Sequence, residues 1–246
     1  MYATDIFGSI NDWEIILEGE KYYIIKYKGN SDTINIPSSL TDENLNIINI
    51  YGIKSISDTD TIFNSNQIKI TISENINFIG QYAFSNSAIT TITIPESVTG
   101  IVNSAFNSVP TLKEILVKHT NKTFNNWNKC LYSDNVLIKV PEGFESNILE
   151  ITDCTILTNA INNVANLNGI ILTNTKNNNL GDYITNLDNI SWIYIKNDLA
   201  GTFNLKNVRN VNWYKELMKK QEFSDIVDEI FLENISNLEA ITENIT

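Results

Sequence analysis

Ile70, Ile92, Ile115 and Ile138 recur at spacings of 22, 23 and 23 residues, and each opens a short apolar–x–apolar run. The runs are Ile70-Thr71-Ile72, Ile92-Thr93-Ile94, Ile115-Leu116-Val117 and Ile138-Lys139-Val140. Between them a second element returns at an offset of 22, Ile79-Gly80-Gln81-Tyr82-Ala83-Phe84 and then Ile101-Val102-Asn103-Ser104-Ala105-Phe106. A fixed period in this range marks a solenoid, in which each repeat is one turn of a coil stacked on its neighbours. Such a fold offers an extended surface for binding and seldom carries chemistry.

The residue types suit that coil. The outer two residues of I-x-I point inward from a short strand and the middle one points out. Proline in Ile92-Thr93-Ile94-Pro95 ends the strand where a ladder donor is no longer needed. Ala-Phe is a small–large pair, with Phe filling the interior and Ala letting the backbone approach. Ile and Asn are each roughly 15% of the chain, far above ordinary usage. Ile supplies β-branched strand residues, and Asn suits the tight turns and left-handed positions that a coil needs several times per repeat. A codon bias toward AT-rich triplets accounts for the same excess equally well.

Residues 13–27 read as a β-hairpin, with Trp13 to Glu18 and Lys21 to Tyr27 joined by Gly19-Glu20. It would cap the first open coil. Thr33-Ile34-Asn35-Ile36-Pro37 is the first I-x-I-P strand. The coil after it holds about a dozen extra residues near Leu45 to Tyr51, with Ile62-Phe63 standing where Ala83-Phe84 stands later.

The run Ile79-Gly80-Gln81-Tyr82-Ala83-Phe84, followed by Ile89-Thr90-Thr91-Ile92-Thr93-Ile94-Pro95-Glu96-Ser97-Val98, resembles the BspA-type leucine-rich repeat family. That family's repeat has an I-G-x-x-A-F step, then L-x-x-I-x-I-P with an apolar residue three positions on. The resemblance covers about residues 20–145, strong in two repeats and degenerate in the others. Beyond Pro141 the period persists in another form. Leu157, Ile161, Val164, Leu167, Ile170, Leu172 and Asn174 are matched 23 residues later by Leu180, Ile184, Leu187, Ile190, Ile193, Ile195 and Asn197. This resembles the general leucine-rich repeat and predicts helical arms at 157–165 and 180–188, each feeding a strand.

The fold expected is therefore an α/β solenoid, a right-handed leucine-rich repeat coil with short parallel strands. Its parts are an N-terminal segment and hairpin cap (1–32), BspA-like repeats (33–145), degenerate repeats (146–211) and C-terminal helices (212–246). Trp213, Leu217, Phe223, Ile226, Val227, Ile230 and Phe231 follow helical spacing, and Ser236 with Glu239 forms a capping box. Those helices would close the last coil or serve as a docking or self-association surface. A separate globular domain from 145 onward is the alternative.

The formal net charge is −12 and the pI about 4.5. Both argue against a nucleic-acid backbone or an anionic membrane surface as partner, since each calls for Lys and Arg. No stretch approaches the about 18 apolar residues of a membrane span, and the N-terminal residues lack the basic and apolar regions of a secretory signal. Cys130 and Cys154 are 24 apart, close to one repeat, so free thiols and a disulfide are both open. The single His119 follows a strand and reads as a solvated loop residue. No nucleophile–base pair, metal cluster or phosphate loop stands out, so no catalytic residue, cofactor or metal is expected.

The candidate site is the outward strand face. Thr71, Thr93 and Leu116, with Glu114 and Lys139, fall there in the earlier coils. Ile171, Trp192, Tyr194 and Lys196 fall there in the later ones, as an aromatic and aliphatic cluster. BspA-type proteins are often surface adhesins, which implies a protein or cell-surface glycan ligand. With no secretory signal, the leading expectation is a component of a phage or phage-like particle that binds other virion or surface proteins. A bacterial surface adhesin and an intracellular interaction scaffold are the alternatives.

Overall fold

Short β-branched runs separated by asparagine-rich turns cannot bury a face alone, and in this chain they pair with the runs of the next repeat. The structure, a computed structural model, describes residues 5–10, 12–64, 69–173, 184–185 and 192–196. These fall into two compact units, one of residues up to 134 with 138–144, the other of 135–137 with those from 145 on. The expected helices at 212–246 lie outside the described residues.

The first unit begins with the expected hairpin, widened by a strand that the sequence did not announce. β1 (Asp5–Ile10), β2 (Trp13–Glu18) and β3 (Lys21–Tyr27) form an antiparallel meander. Gly19 turns it with φ 59°, in the left-handed region. The hairpin buries Trp13, Ile15, Ile16, Ile24 and Ile25. It is more than a lid, because β3 pairs in parallel with the first coil.

Coiling then produces two parallel ladders. β4 (Thr33–Ile36) pairs with β7 (Lys69–Ile72), aligning Ile34 with Ile70 and Ile36 with Ile72. Between these two lie β5 (Ser39–Thr41) and β6 (Ile47–Ile53), whose antiparallel pairing loops out the extra residues as a hairpin. β6 then continues the sheet of β3, followed by β8 (Phe78–Ile79). β9 (Thr91–Ile94) and β10 (Gly100–Ile101) repeat the pattern, with β10 on β8. β9 pairs with β11 (Glu114–Val117), aligning Ile92 with Ile115.

Between the ladders each coil contributes one phenylalanine. Phe63 and Phe84 stack at 5.8 Å and 9°, and Phe84 and Phe106 at 5.4 Å and 5°, all three almost without solvent exposure. Backbone and hydroxyl groups tie the coils together. Phe84 donates its N–H to the Ala105 carbonyl (2.9 Å), and Ser85 donates its hydroxyl to the Asn107 carbonyl (2.7 Å). Thr111 does the same for the Ile89 carbonyl at 2.9 Å. Asparagine takes the role its abundance suggested. Asn75, Asn86, Asn128, Asn159 and Asn163 all sit at positive φ, with Asp134 and Asp153 beside them in type.

The expected alignment of Ile138 with Ile115 does not occur. A hairpin of β12 (Asn125–Trp127) and β13 (Cys130–Ser133) lies against β11 instead, turned by Asn128 and Lys129 at φ 47° and 67°. Ile115 donates its N–H to the Lys129 carbonyl, and Val117 donates to Asn126 Oδ1. After this insertion β14 (Val136–Lys139) follows a different register, and Lys139, expected on the outward face, is wholly buried. Its ammonium donates to Asn107 Oδ1 at 2.9 Å and stands 3.8 Å from Glu142 Oε1. The Glu142 carboxylate in turn accepts the N–H groups of Ser108 and Val109. The polar cluster thus fastens the end of this unit to the turn at 107–109.

In the second unit β14 pairs through Val136 and Leu137 with β16 (Thr155–Ile156), which follows β15 (Ile148–Thr152). The predicted helical arm at 157–165 is made of strand and turns. In place of a helix at 157–165 stands β17 (Ile161–Asn162), flanked by Asn159 and Asn163 at φ 62° and 56°, which no α-helix accommodates. After β18 (Gly169–Thr173), the arm at 180–188 contains β19 (Ile184–Thr185), paired in parallel with β17. Among the described residues the only helix is one 3-10 turn, Asn103–Phe106, so the α part of the expected class is not met there. The period of 23 does hold. β18 pairs with β20 (Trp192–Lys196), aligning Ile170 with Ile193 and Leu172 with Ile195, and β15 completes that ladder.

Cys130 and Cys154 are free and buried. Burial raises both thiols, Cys154 to about 11, which leaves them inert near neutral pH.

Two outcomes follow from this packing. Phe84 contacts a ring on each side, so Phe84→Ala should cost about 3–5 kcal/mol in urea denaturation, and a loss under 1 kcal/mol would show the stack to be incidental. Burial holds Lys139 down to about 8 from 10.5, in spite of Glu142. The unfolded chain keeps that proton to about pH 10.5, so the charged lysine opposes folding at neutral pH and the cost lifts from about pH 8 upward. Between pH 7.5 and 9.5 the native chain should gain about 1–2 kcal/mol relative to Lys139→Met. A constant difference across that range would contradict the burial.

Candidate aromatic binding surface

A β-bulge builds the most distinctive surface of the first unit. In the pairing of β3 with β6, Tyr22 stands opposite Ile50 and Tyr23 opposite Gly52, so Tyr51 is the extra residue. Ile50 and Ile53 are buried, as a bulge between them requires. Tyr51 and Tyr23 then meet Phe78 of β8, which pairs with Gly52 on one side and Gly100 on the other. Tyr51 and Phe78 are near-parallel at 20° and 6.2 Å. Tyr23 stands edge-on to both, at 5.6 Å and 6.1 Å. All three rings are half-buried.

The glycines give Phe78 its place. A Cβ at Gly52 would stand 2.9 Å from the Phe78 Cβ, and one at Gly100 would stand 2.8 Å from its ring. Any larger residue would lift the ring from the sheet. Two lysines frame the platform. Lys21 Nζ lies 3.9 Å from the Tyr51 ring centroid, and Lys54 Nζ lies 5.0 Å from that of Tyr23. Lys54 is also ion-paired with Glu18. Burial raises the Tyr23 phenol, with Tyr51 and Glu18 adding to the effect against Lys21, so the hydroxyl stays a neutral donor at physiological pH.

Sequence reasoning singled out the other ladder. There Thr71 and Thr93 are exposed and Leu116 is half-buried, with Thr93 paired to Leu116. Thr71 stands opposite Asn35. These form a polar, threonine-rich face within the first unit. Ile171 belongs to the second unit, half-buried between the buried Ile170 and Leu172. Backbone register sets Trp192 opposite Gly169, Tyr194 opposite Ile171 and Lys196 opposite Thr173, while the side chains of 192–196 lie outside the described ones. The predicted row is thus divided between two units. The aromatic platform was missed, although Gly52 and Gly100 within strand-like runs signal a close approach by a neighbour. Trp127, also missed, is 67% exposed at the hairpin tip. Among the described residues no three His, Cys, Asp or Glu side chains gather as a metal site, and no helix is long and apolar enough to cross a membrane.

The family model described as BspA type Leucine rich repeat region matches residues 27–146, in six copies. No curated protein gives a significant match. Solved structures that resemble the chain include a leucine rich cell surface protein from Faecalibacterium prausnitzii, 16% identical, covering 79% of this chain and 78% of its own, at a TM-score of 0.40. A leucine-rich repeat protein from Eubacterium ventriosum is 20% identical, covering 80% and 68%, at 0.41. The pneumococcal vaccine antigen PcpA is 14% identical, covering 80% and 71%, at 0.40. At such values none of these likenesses speaks to a shared function. The family match coincides with the strands, turns and Phe stack of the first unit, and residues 27–146 are a BspA-type leucine-rich repeat region.

Proposed function

We propose that this chain is a non-catalytic binding module that attaches to a ligand displayed at a cell surface. The observation that carries the reading is the platform of Tyr23, Tyr51 and Phe78, half-exposed and framed by Lys21 and Lys54. Rigid aromatic side chains lose little conformational entropy on contact and bring a large apolar face, and such residues dominate binding hot spots. Here they sit on sheet strands and not on loops, so they are held in place before a ligand arrives. The BspA-type repeats supply the general expectation of interaction at a surface. No described feature is specific to a phage particle, and attachment at a cell surface is therefore the form the proposal takes.

Beads coated with the chain provide the test, applied to animal and bacterial cells. The double variant Tyr23→Ala with Tyr51→Ala should lower adhesion about tenfold, as expected for losing one aromatic anchor or more. Its melting temperature should stay within a few degrees of the parent's. Adhesion that survives the double variant in a folded protein would sink the proposal. The threonine-rich face serves as the comparison, since Thr71→Ala with Thr93→Ala should leave adhesion unchanged.

A further inference from the structure

We infer that Lys139 and Asn107 join covalently, the lysine Nζ replacing the side-chain amide nitrogen of the asparagine to form an intramolecular amide bond. The reaction occurs once, within the chain, and does not depend on the binding role proposed above. Three observations bear on it.

The first is proximity. The Lys139 ammonium donates to Asn107 Oδ1 at 2.9 Å, so the amide carbon Cγ lies one bond beyond the atom that Nζ already touches. Donation to Oδ1 also draws electrons from Cγ and stabilises the negative charge that gathers on the oxygen during attack. Both partners are held in place. Asn107 donates its backbone N–H to the Ser104 carbonyl, and its own carbonyl accepts the Ser85 hydroxyl. On the other side Gly143 donates its N–H to the Leu112 carbonyl at 2.7 Å, and a Cβ on it would stand 2.6 Å from the Pro110 carbonyl oxygen. That close approach seats the end of the unit on the turn. Groups fixed at this range react as parts of one molecule and need no encounter.

The second is a proton carrier. Nζ attacks only as the neutral amine. Glu142 Oε1 stands 3.8 Å from it, and the N–H groups of Ser108 and Val109 fix the two carboxylate oxygens at 2.9 Å and 3.0 Å. The Ser108 N–H belongs to the peptide bond that Asn107 itself makes, so the carboxylate stands near both reacting groups. The Nζ–Cγ bond forms and the Cγ–Nδ2 bond breaks. Two protons pass from Nζ to Nδ2 by way of the carboxylate, and ammonium ion leaves. Glu142 ends as it began, and no oxidant or cofactor is consumed.

The third is burial. Lys139 has no solvent exposure and Glu142 has 3%. Burial holds the lysine down to about 8, so the neutral amine is present near neutral pH. Asn107 is half-buried, which gives the departing ammonium ion a way out. Exchange of one amide for another is near balance, and loss of ammonium to bulk solvent draws it forward. A bond from Lys139 to Glu142 is disfavoured, because the carboxylate is farther from Nζ and its charge resists a nucleophile.

Mass spectrometry of the full chain tests this, on purification and after several days at about pH 8. The chain should lose about 17 Da, the mass of ammonia, and trypsin should release one branched peptide joining Asn107 to Lys139. Asn107→Ala and Lys139→Met should yield no branched peptide, and Glu142→Gln should close about a hundredfold more slowly. The bond closes a loop between residues 32 apart. The closed chain should therefore melt about 10 °C above Asn107→Ala. The pH-dependent stability of Lys139 belongs to the open chain and should vanish once the bond has closed. An unchanged mass overturns the inference. So does ammonia loss without a branched peptide, the mark of a succinimide at an asparagine, or a loss of about 18 Da with Glu142 in the branch. These readouts come from the parent chain, so they stand even where a variant does not fold.

Discussion

A single coil of this chain has no interior of its own, and everything else depends on how it borrows one. In the first unit, each of three successive turns contributes one or two inward isoleucines and one phenylalanine, which is too little apolar surface to offset the cost of ordering the backbone. Stability arises at the interfaces between turns. The stacked rings of Phe63, Phe84 and Phe106 and the aligned pairs Ile34–Ile70 and Ile92–Ile115 are those interfaces. Hydroxyl-to-carbonyl bonds such as Ser85 to Asn107 satisfy the polar groups that the same stacking buries.

That constraint also explains where the surface features arise. Inward positions are fixed by neighbours above and below, so variation goes to the corners and outer faces. The Tyr51 bulge adds one residue between Ile50 and Ile53 without displacing either, and gains an outward aromatic ring. The Lys139–Glu142 cluster lies where apolar stacking ends. There the turn at 107–109 presents N–H groups and an amide that only a polar partner can satisfy.

Much of this was legible in the residues. The I-x-I-P runs, the Ala-Phe step, the hairpin at 13–27 and the 23-residue register of Ile170 with Ile193 follow directly from spacing and turn chemistry. The error at 157–165 has a physical origin. Leu157, Ile161, Val164 and Leu167 recur every three or four residues, as on a helix face. A coil built from two-residue strands and left-handed asparagines turns its chain inward at the same interval, so periodicity alone cannot separate the two. Lys139 was misplaced because the β12–β13 hairpin breaks the register that the isoleucine spacing implied. The platform escaped notice because strict alternation carries no trace of a bulge, and Tyr23, Tyr51 and Phe78 are far apart in sequence.

The two inserted hairpins, β5–β6 and β12–β13, show what the repeat does and does not count. β5–β6 lengthens the path between Ile34 and Ile70 and leaves them aligned, whereas β12–β13 lies against β11 where the next coil was expected. Where the inward side chains return, as at Ile70, the number of residues between them is free. A chain on this plan can acquire a new loop as a local event, leaving the shared interior unedited. Its outer surface can therefore diverge quickly while the scaffold beneath is inherited nearly whole.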